Sequence, residues 1–159
     1  AFDNTATGDR ATSLQDGNDM NNKAGWFMDL PQSGERIVNR TQFIGGKAVV
    51  STLIPKVDDP CNTVPAGAVM GVDPFTGANQ ASDYGLGTTI ITVNGVQQTV
   101  AINGKVFAAG PAAGVTAVTN PDGTVSISFN TIGGGLASLG PIKFGGSAAA
   151  RLSWRELTN

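Results

Sequence analysis

Turn-forming residues interrupt this chain so often that no element in it has room to be long. Gly45-Gly46, Asn94-Gly95, Asn103-Gly104 and Asn120-Pro121-Asp122-Gly123 each lie between short runs rich in Val, Ile and Thr. Glycine and asparagine supply the positive φ angles that primed hairpin turns require, so these sites read as tips of antiparallel hairpins. The pattern predicts strands over Gly25 to Leu30, Glu35 to Ile44, Lys47 to Ile54 and Ala68 to Val72. It predicts more over Thr88 to Val93, Val96 to Ile102, Lys105 to Ala108, Val115 to Thr119 and Thr124 to Thr131. In the last run Val125, Ile127 and Phe129 alternate with Ser and Thr, the period-two signature of a strand with one buried and one wetted face. Asp73-Pro74-Phe75-Thr76-Gly77 reads as a tight turn, with Pro presetting φ and Gly taking the position other residues avoid. Helix is confined to little or nothing. The fold class that follows is all-β, built of antiparallel hairpins and meanders, as a sandwich, a barrel or part of a propeller.

A chain of 159 residues suits one domain, and at this length roughly two-thirds of the unfolded surface is buried on folding. The 22 glycines and 8 prolines fit a turn-rich architecture, while the 40% hydrophobic content, much of it β-branched, excludes a disordered chain. Residues 1–23 are polar, with no repeating apolar face, and read as a loop or extended lead-in; residues 24–159 read as a single all-β domain. The lead-in lacks the charged-then-apolar form of a secretion leader, which fits a leader already removed by export or one lying far upstream. No apolar run reaches the roughly 20 residues of a membrane-spanning helix. A net charge of −2 with scattered Lys and Arg leaves no basic field for nucleic acid. The glycine-rich stretch from Gly133 to Gly146 reads as tightly turning backbone, and Arg151 to Leu157 as a last strand. No fixed-period motif recurs, so a solenoid has little support.

The chain has no histidine, which removes imidazole bases and His-ligated metals from the inventory. Glu35 and Glu156 are a conceivable carboxylate pair for glycoside chemistry, but each stands beside an arginine, Arg36 and Arg155, and solvated surface ion pairs are the plainer reading. Cys61 has no activating base and sits near Asp58 and Asp59, which disfavour a thiolate. It reads as a half-buried thiol or as one whose partner lies in another region or chain. Oxygen ligands for calcium are concentrated at Asp16, Asn18 and Asp19, without the ordered alternation and terminal Glu of an EF-hand; Asp58-Asp59 is a weaker candidate. The alternative for the first loop is a polar linker. The glycine runs lack a P-loop's following Lys and helix. Trp26 and Trp154 lie in strand-like apolar runs, where packing is a better account than a carbohydrate-stacking platform. Together these residues point away from an enzyme.

Several of these segments also carry a resemblance. Gly25-Trp26-Phe27-Met28-Asp29-Leu30-Pro31, Gly34-Glu35-Arg36-Ile37-Val38, Ser51-Thr52-Leu53-Ile54-Pro55 and Asp59-Pro60-Cys61 follow one another as similar segments do in the PilC/PilY family of type IV pilus tip adhesins and assembly factors. Met70 to Gly77 (MGVDPFTG) and the ending Arg151 to Leu157 (RLSWREL) resemble further segments of that family, while Ala78 to Ala150 carries no recognisable part of it. The resemblance implies a bladed β-propeller longer than this chain, which would correspond to its final blades or fold as a small sandwich completed by strand pairing with partners. It implies an extracellular, pilus-associated module of a Gram-negative bacterium, with pilus subunits or a host or surface receptor as partners. Some members carry a calcium loop of alternating Asp and Asn, which has no clear match here. A truncated propeller leaves strand edges unpaired, so a homo-oligomer or filament through edge strands is also expected, and with it the alternative of a self-assembling fibre or sheath subunit. The candidate contact residues are Trp26, Leu152 and Trp154.

Overall fold

Two runs of small and β-branched residues form the centre of the structure because both of their faces are covered. Lys47–Ile54 and Ala66–Val72 pair antiparallel without a break from Ala48↔Val72 to Ile54↔Ala66. The computed structural model describes residues 2–4, 8–12, 23–56, 64–78, 85–93 and 95–143. Among these residues there are twelve strands and no helix: β1 (Phe2–Asn4), β2 (Asp9–Thr12), β3 (Arg36–Ile37), β4 (Gln42–Ile44), β5 (Lys47–Ile54), β6 (Ala66–Val72), β7 (Thr88–Val93), β8 (Val96–Ala101), β9 (Gly104–Phe107), β10 (Ala112–Thr119), β11 (Val125–Thr131) and β12 (Gly135–Ile142). The largest sheet has seven strands in the order β1-β2-β9-β6-β5-β3, with β4 also on β5; β10-β11-β12 form a second sheet and β7-β8 a third. Every pairing is antiparallel.

Alternation sorts the central strands into two faces. Val49 and Val69 pack with Ala101, Ala112, Val125, Ile127, Phe129, Leu139 and Ile142, so the inner face of the large sheet lies on the apolar face of the three-stranded sheet. Phe107 and Phe129 meet edge to face across this layer, with centroids 4.8 Å apart, a geometry worth about 1 kcal/mol beyond the area it buries. The far face carries Ala48, Val50, Met70 and Val72, covered in part by Met28 and Leu30. One corner between the two sheets is closed by side-chain amides: Asn39 Nδ2 donates to Ser51 Oγ at 2.8 Å and to the Ala112 carbonyl at 2.5 Å, and Gln42 Nε2 donates to the Val115 carbonyl at 3.2 Å.

The hairpins at Gly45-Gly46, before Val96 and at Pro121 to Gly123 form as the turn chemistry requires, with φ of 56° and 76° at the glycine pair. Other segments depart from expectation. Gly25 to Leu30 is not a strand; β3 and β4 already occupy the edge of β5, and the segment lies over the far face instead. The run from Glu35 to Ile44 breaks into β3 and β4 because Asn39 turns inward to bond both sheets. Asn103-Gly104 is not a hairpin tip, since β9 pairs with β2 and β6 instead of β8. Gly104 is there for close approach: a Cβ on it would lie 2.5 Å from Met70 Cβ. The glycine-rich stretch opens as expected on a turn, at Ile132 to Gly134, but from Gly135 to Ile142 it is strand β12 and not turning backbone. Within the polar stretch before residue 24, β1 and β2 extend the large sheet. Arg151 to Leu157 lies outside the described residues.

The core on the inner face predicts a steep contrast. Phe129→Ala, at a ring 2% exposed, is expected to lower stability by about 3–5 kcal/mol in urea denaturation, whereas Val118→Ala on the exposed face of β10 is expected to change it by less than about 0.5 kcal/mol.

Candidate functional site

The segments that carry the resemblance meet each other in space, at two places. The first is a buried ion pair. Arg10 in β2 stands opposite Gly104 of β9, Gly104 opposite Met70 of β6, and Met70 opposite Val50 of β5, all on the far face. The guanidinium reaches the Glu35 carboxylate across this row, with Nη2 3.1 Å from Oε2 and 3.3 Å from Oε1, and neither side chain is exposed at all. The Thr52 hydroxyl, on the same face of β5, donates to Glu35 Oε1, and the Gln32 N–H donates to Oε2 at 3.3 Å. Glu35 is therefore not the surface partner of Arg36 that its neighbour suggested: Arg36 is exposed and donates to the Gly34 carbonyl. The true partner lies 25 residues earlier, in a polar stretch where nothing in the sequence marks it. Asn103 locks the same strand, its N–H donating to the Arg10 carbonyl at 2.8 Å and its amide to Thr12 Oγ1 at 2.7 Å.

The second meeting is at the turn after β6. Asp73 Oδ1 accepts from the N–H groups of Phe75 at 2.9 Å and Thr76 at 3.1 Å, and Gly77 N–H donates to the Asp73 carbonyl at 2.8 Å. Lys47, one step beyond the β5–β6 register, holds Asp73 Oδ2 at 3.3 Å. Burial alone pushes the Asp73 carboxyl up, but the two backbone N–H groups and the Lys47 ammonium outweigh it and hold the carboxyl below its ordinary value. Trp26 rests on this turn. Its indole N–H donates to the Pro74 carbonyl at 3.0 Å, and a Cβ on Gly77, where φ is +69°, would lie 2.5 Å from the indole ring. Trp26 is thus neither a core residue nor a free platform: one part is docked and 37% of it is exposed. Phe27 beside it and Phe75 on the same turn are 89% and 82% exposed.

Asp16, Asn18, Asp19, Asp58, Asp59, Cys61, Leu152, Trp154 and Glu156 lie outside the described residues. Among the described residues no three Cys, Asp, Glu or His side chains gather in a group that could hold a metal ion. Asn39, Gln42 and Lys47, which tie strand to strand and sheet to sheet, carry no sequence signal beyond being polar residues inside strand-like runs.

Two outcomes follow from these contacts. Arg10→Met or Glu35→Gln alone strands a buried charged or polar group and is expected to cost about 3–5 kcal/mol, most of which the double replacement Arg10→Met/Glu35→Leu recovers; urea denaturation of the four proteins measures the cycle. Asp73 has a folded-state pKa below its unfolded value of 3.8, so its stabilisation is present above that value and is lost as pH falls through the lower one. Asp73→Asn is expected to lower stability at pH 7 by about 1 kcal/mol, and the gap between the two proteins is expected to close as the pH is taken from about 5 towards 2.

No family profile matches the chain, and no solved structure matches it significantly. Over 143 residues it is 32% identical to a protein of Xylella fastidiosa (strain Temecula1 / ATCC 700964) described as a type IV pilus biogenesis factor PilY1 homolog. The match takes in 84% of this chain and 11% of that protein, so the chain spans about a ninth of its relative's length. The similarity is that of a distant homologue of a PilY1-like type IV pilus protein, at the level of a general pilus-associated family.

Proposed function

We propose that this chain is an extracellular structural and adhesion module associated with type IV pili, acting by protein–protein or surface contact and not by catalysis. The observation that carries the reading is the 32% identity to a pilus biogenesis factor over 84% of the chain. The geometry supports it by showing how the resembling residues are used. Trp26, Glu35, Thr52 and Asp73 are spent on one another and on the sheet, so what they preserve is a folded surface and not a reacting group. The sandwich-like alternative suits the packing of the large sheet on β10-β11-β12 better than isolated blades do. In this reading residues 24–159 are one domain, the preceding stretch is pinned to it through Arg10, and the partner is a pilus subunit or a surface receptor.

The exposed rings of Phe27, next to the docked Trp26 in the chain, and of Phe75, on the turn that Trp26 docks against, are the contact point in this proposal, with Leu152 and Trp154 as further contacts. Large exposed aromatics on a rigid turn lose little entropy on binding. Fluorescently labelled chain is expected to co-sediment with sheared pili from a type IV-piliated bacterium. The double variant Phe27→Ser/Phe75→Ser is expected to bind about tenfold more weakly with an unchanged melting temperature. Equal binding by the variant removes the aromatic contact point; no binding by the unaltered chain removes the pilus reading.

A further inference from the structure

Most strand edges in this molecule are obstructed. β3 has two residues and presents Arg36, and β4 has three. The carbonyls of Ala112 and Val115 at the start of β10 are taken by Asn39 and Gln42, where the register also shifts. β12 carries Pro141, and its pairing with β11 is irregular between Val125 and Ile127. These are the devices by which proteins keep edges from pairing with other chains. The β7-β8 hairpin has none of them. Its strands are six residues each, TTIITV and VQQTVA, without a charge or a proline, and among the described residues they pair only with each other, in unbroken register from Thr88↔Ala101 to Val93↔Val96.

The open edge of β7 is also self-complementary. Ile102 N–H donates to the Gly87 carbonyl at 2.9 Å, which sets the alternation: residues 87, 89, 91 and 93 exchange backbone bonds with β8, while Thr88, Ile90 and Thr92 direct their N–H and C=O groups outward. Ile91 turns its side chain inward against Ala11. Thr88, Ile90 and Thr92 lie on the other, exposed face, with Ile90 59% exposed. Thr-x-Ile-x-Thr reads the same in both directions, so an antiparallel partner related by a two-fold axis at Ile90 sets Ile90 against Ile90 and Thr88 against Thr92, with no charge to repel at the axis.

We propose that the free edge of β7 is a homodimer interface, in which two copies of the chain join β7 to β7 antiparallel about Ile90 into one four-stranded sheet, β8-β7-β7-β8. About six new backbone hydrogen bonds form across the axis, and Thr–Thr and Ile–Ile pairs meet on its exposed face. A two-stranded ribbon, marginal by itself, becomes part of a sheet of stable width. The same surface is used by both copies, so the β7 contact is satisfied by two copies and does not itself propagate into a fibre. This inference is independent of the pilus reading.

Sedimentation equilibrium of the full chain is expected to show a concentration-dependent dimer. Ile90→Lys, which opposes two ammonium groups at the axis, is expected to weaken it about a hundredfold, with the melting temperature unchanged because the side chain is exposed. In a Cys61→Ser background Ile90→Cys is expected to form a disulfide dimer on oxidation, since opposed residues of a hydrogen-bonded pair have Cα atoms about 5.5 Å apart. Thr99→Cys, on the same face of β8 but away from the axis, is expected to stay monomeric. A chain that remains monomeric near about 1 mM, a dimer indifferent to Ile90→Lys, or equal cross-linking at both positions would each overturn the proposal.

Discussion

On the far face of the large sheet, a guanidinium and a carboxylate meet with no exposure to water, and the arrangement of four strands follows from the need to keep them together. Removing such charges from water costs several kcal/mol per ion, so the pair persists only where geometry and additional hydrogen bonds compensate. Here the compensation comes from the Thr52 hydroxyl and the Gln32 N–H on the carboxylate. Arg10 stands directly opposite Gly104 of β9, whose lack of a side chain leaves the first step of its path towards Glu35 open. The pair adds less to net stability than to register: a one-residue slip of β2 would turn Arg10 to the opposite face and leave Glu35 buried without it.

The inner face of the same sheet is held by a different physics. Val49 and Val69 meet Ile127, Phe129 and Leu139 with no polar atom to satisfy, so this layer is tolerant of direction and supplies most of the hydrophobic driving force. Specific orientation between the two sheets comes from Asn39 and Gln42 at their corner, where amide groups meet the unpaired carbonyls of β10. Those two bonds also leave β10 less available as an edge. The molecule thus separates attraction from specification, burying aliphatic side chains for one and placing single polar groups for the other.

The residues most recognisable in the sequence prove to be internal fasteners. Trp26 docks on the turn that Asp73 caps, and Glu35 and Thr52 close on Arg10. Their spacing along the chain says nothing of this, because Trp26 and Pro74 are 48 residues apart and Arg10 and Glu35 are 25 apart. Local rules read the hairpin turns well, since φ preference acts within two residues. They misread Asn103-Gly104, whose composition is that of a turn, because there the glycine answers to the approach of Met70 and not to a reversal of the chain.

The alternation in Val125 to Thr131, the turn chemistry of Gly45-Gly46 and the absence of histidine determined by themselves that this is a hairpin-built, all-β chain without imidazole chemistry. Those properties depend on neighbours in the chain or on composition alone. Tertiary structure alone decided that Glu35 is buried and not solvated, that β9 joins β2 to β6, that the Gly25 to Leu30 segment covers a sheet face instead of entering the ladder, and that among the described residues β7 pairs with β8 alone. Each is an outcome of which distant strands compete for the same edge or face, and that competition is settled by burial and backbone pairing between segments that no local pattern connects.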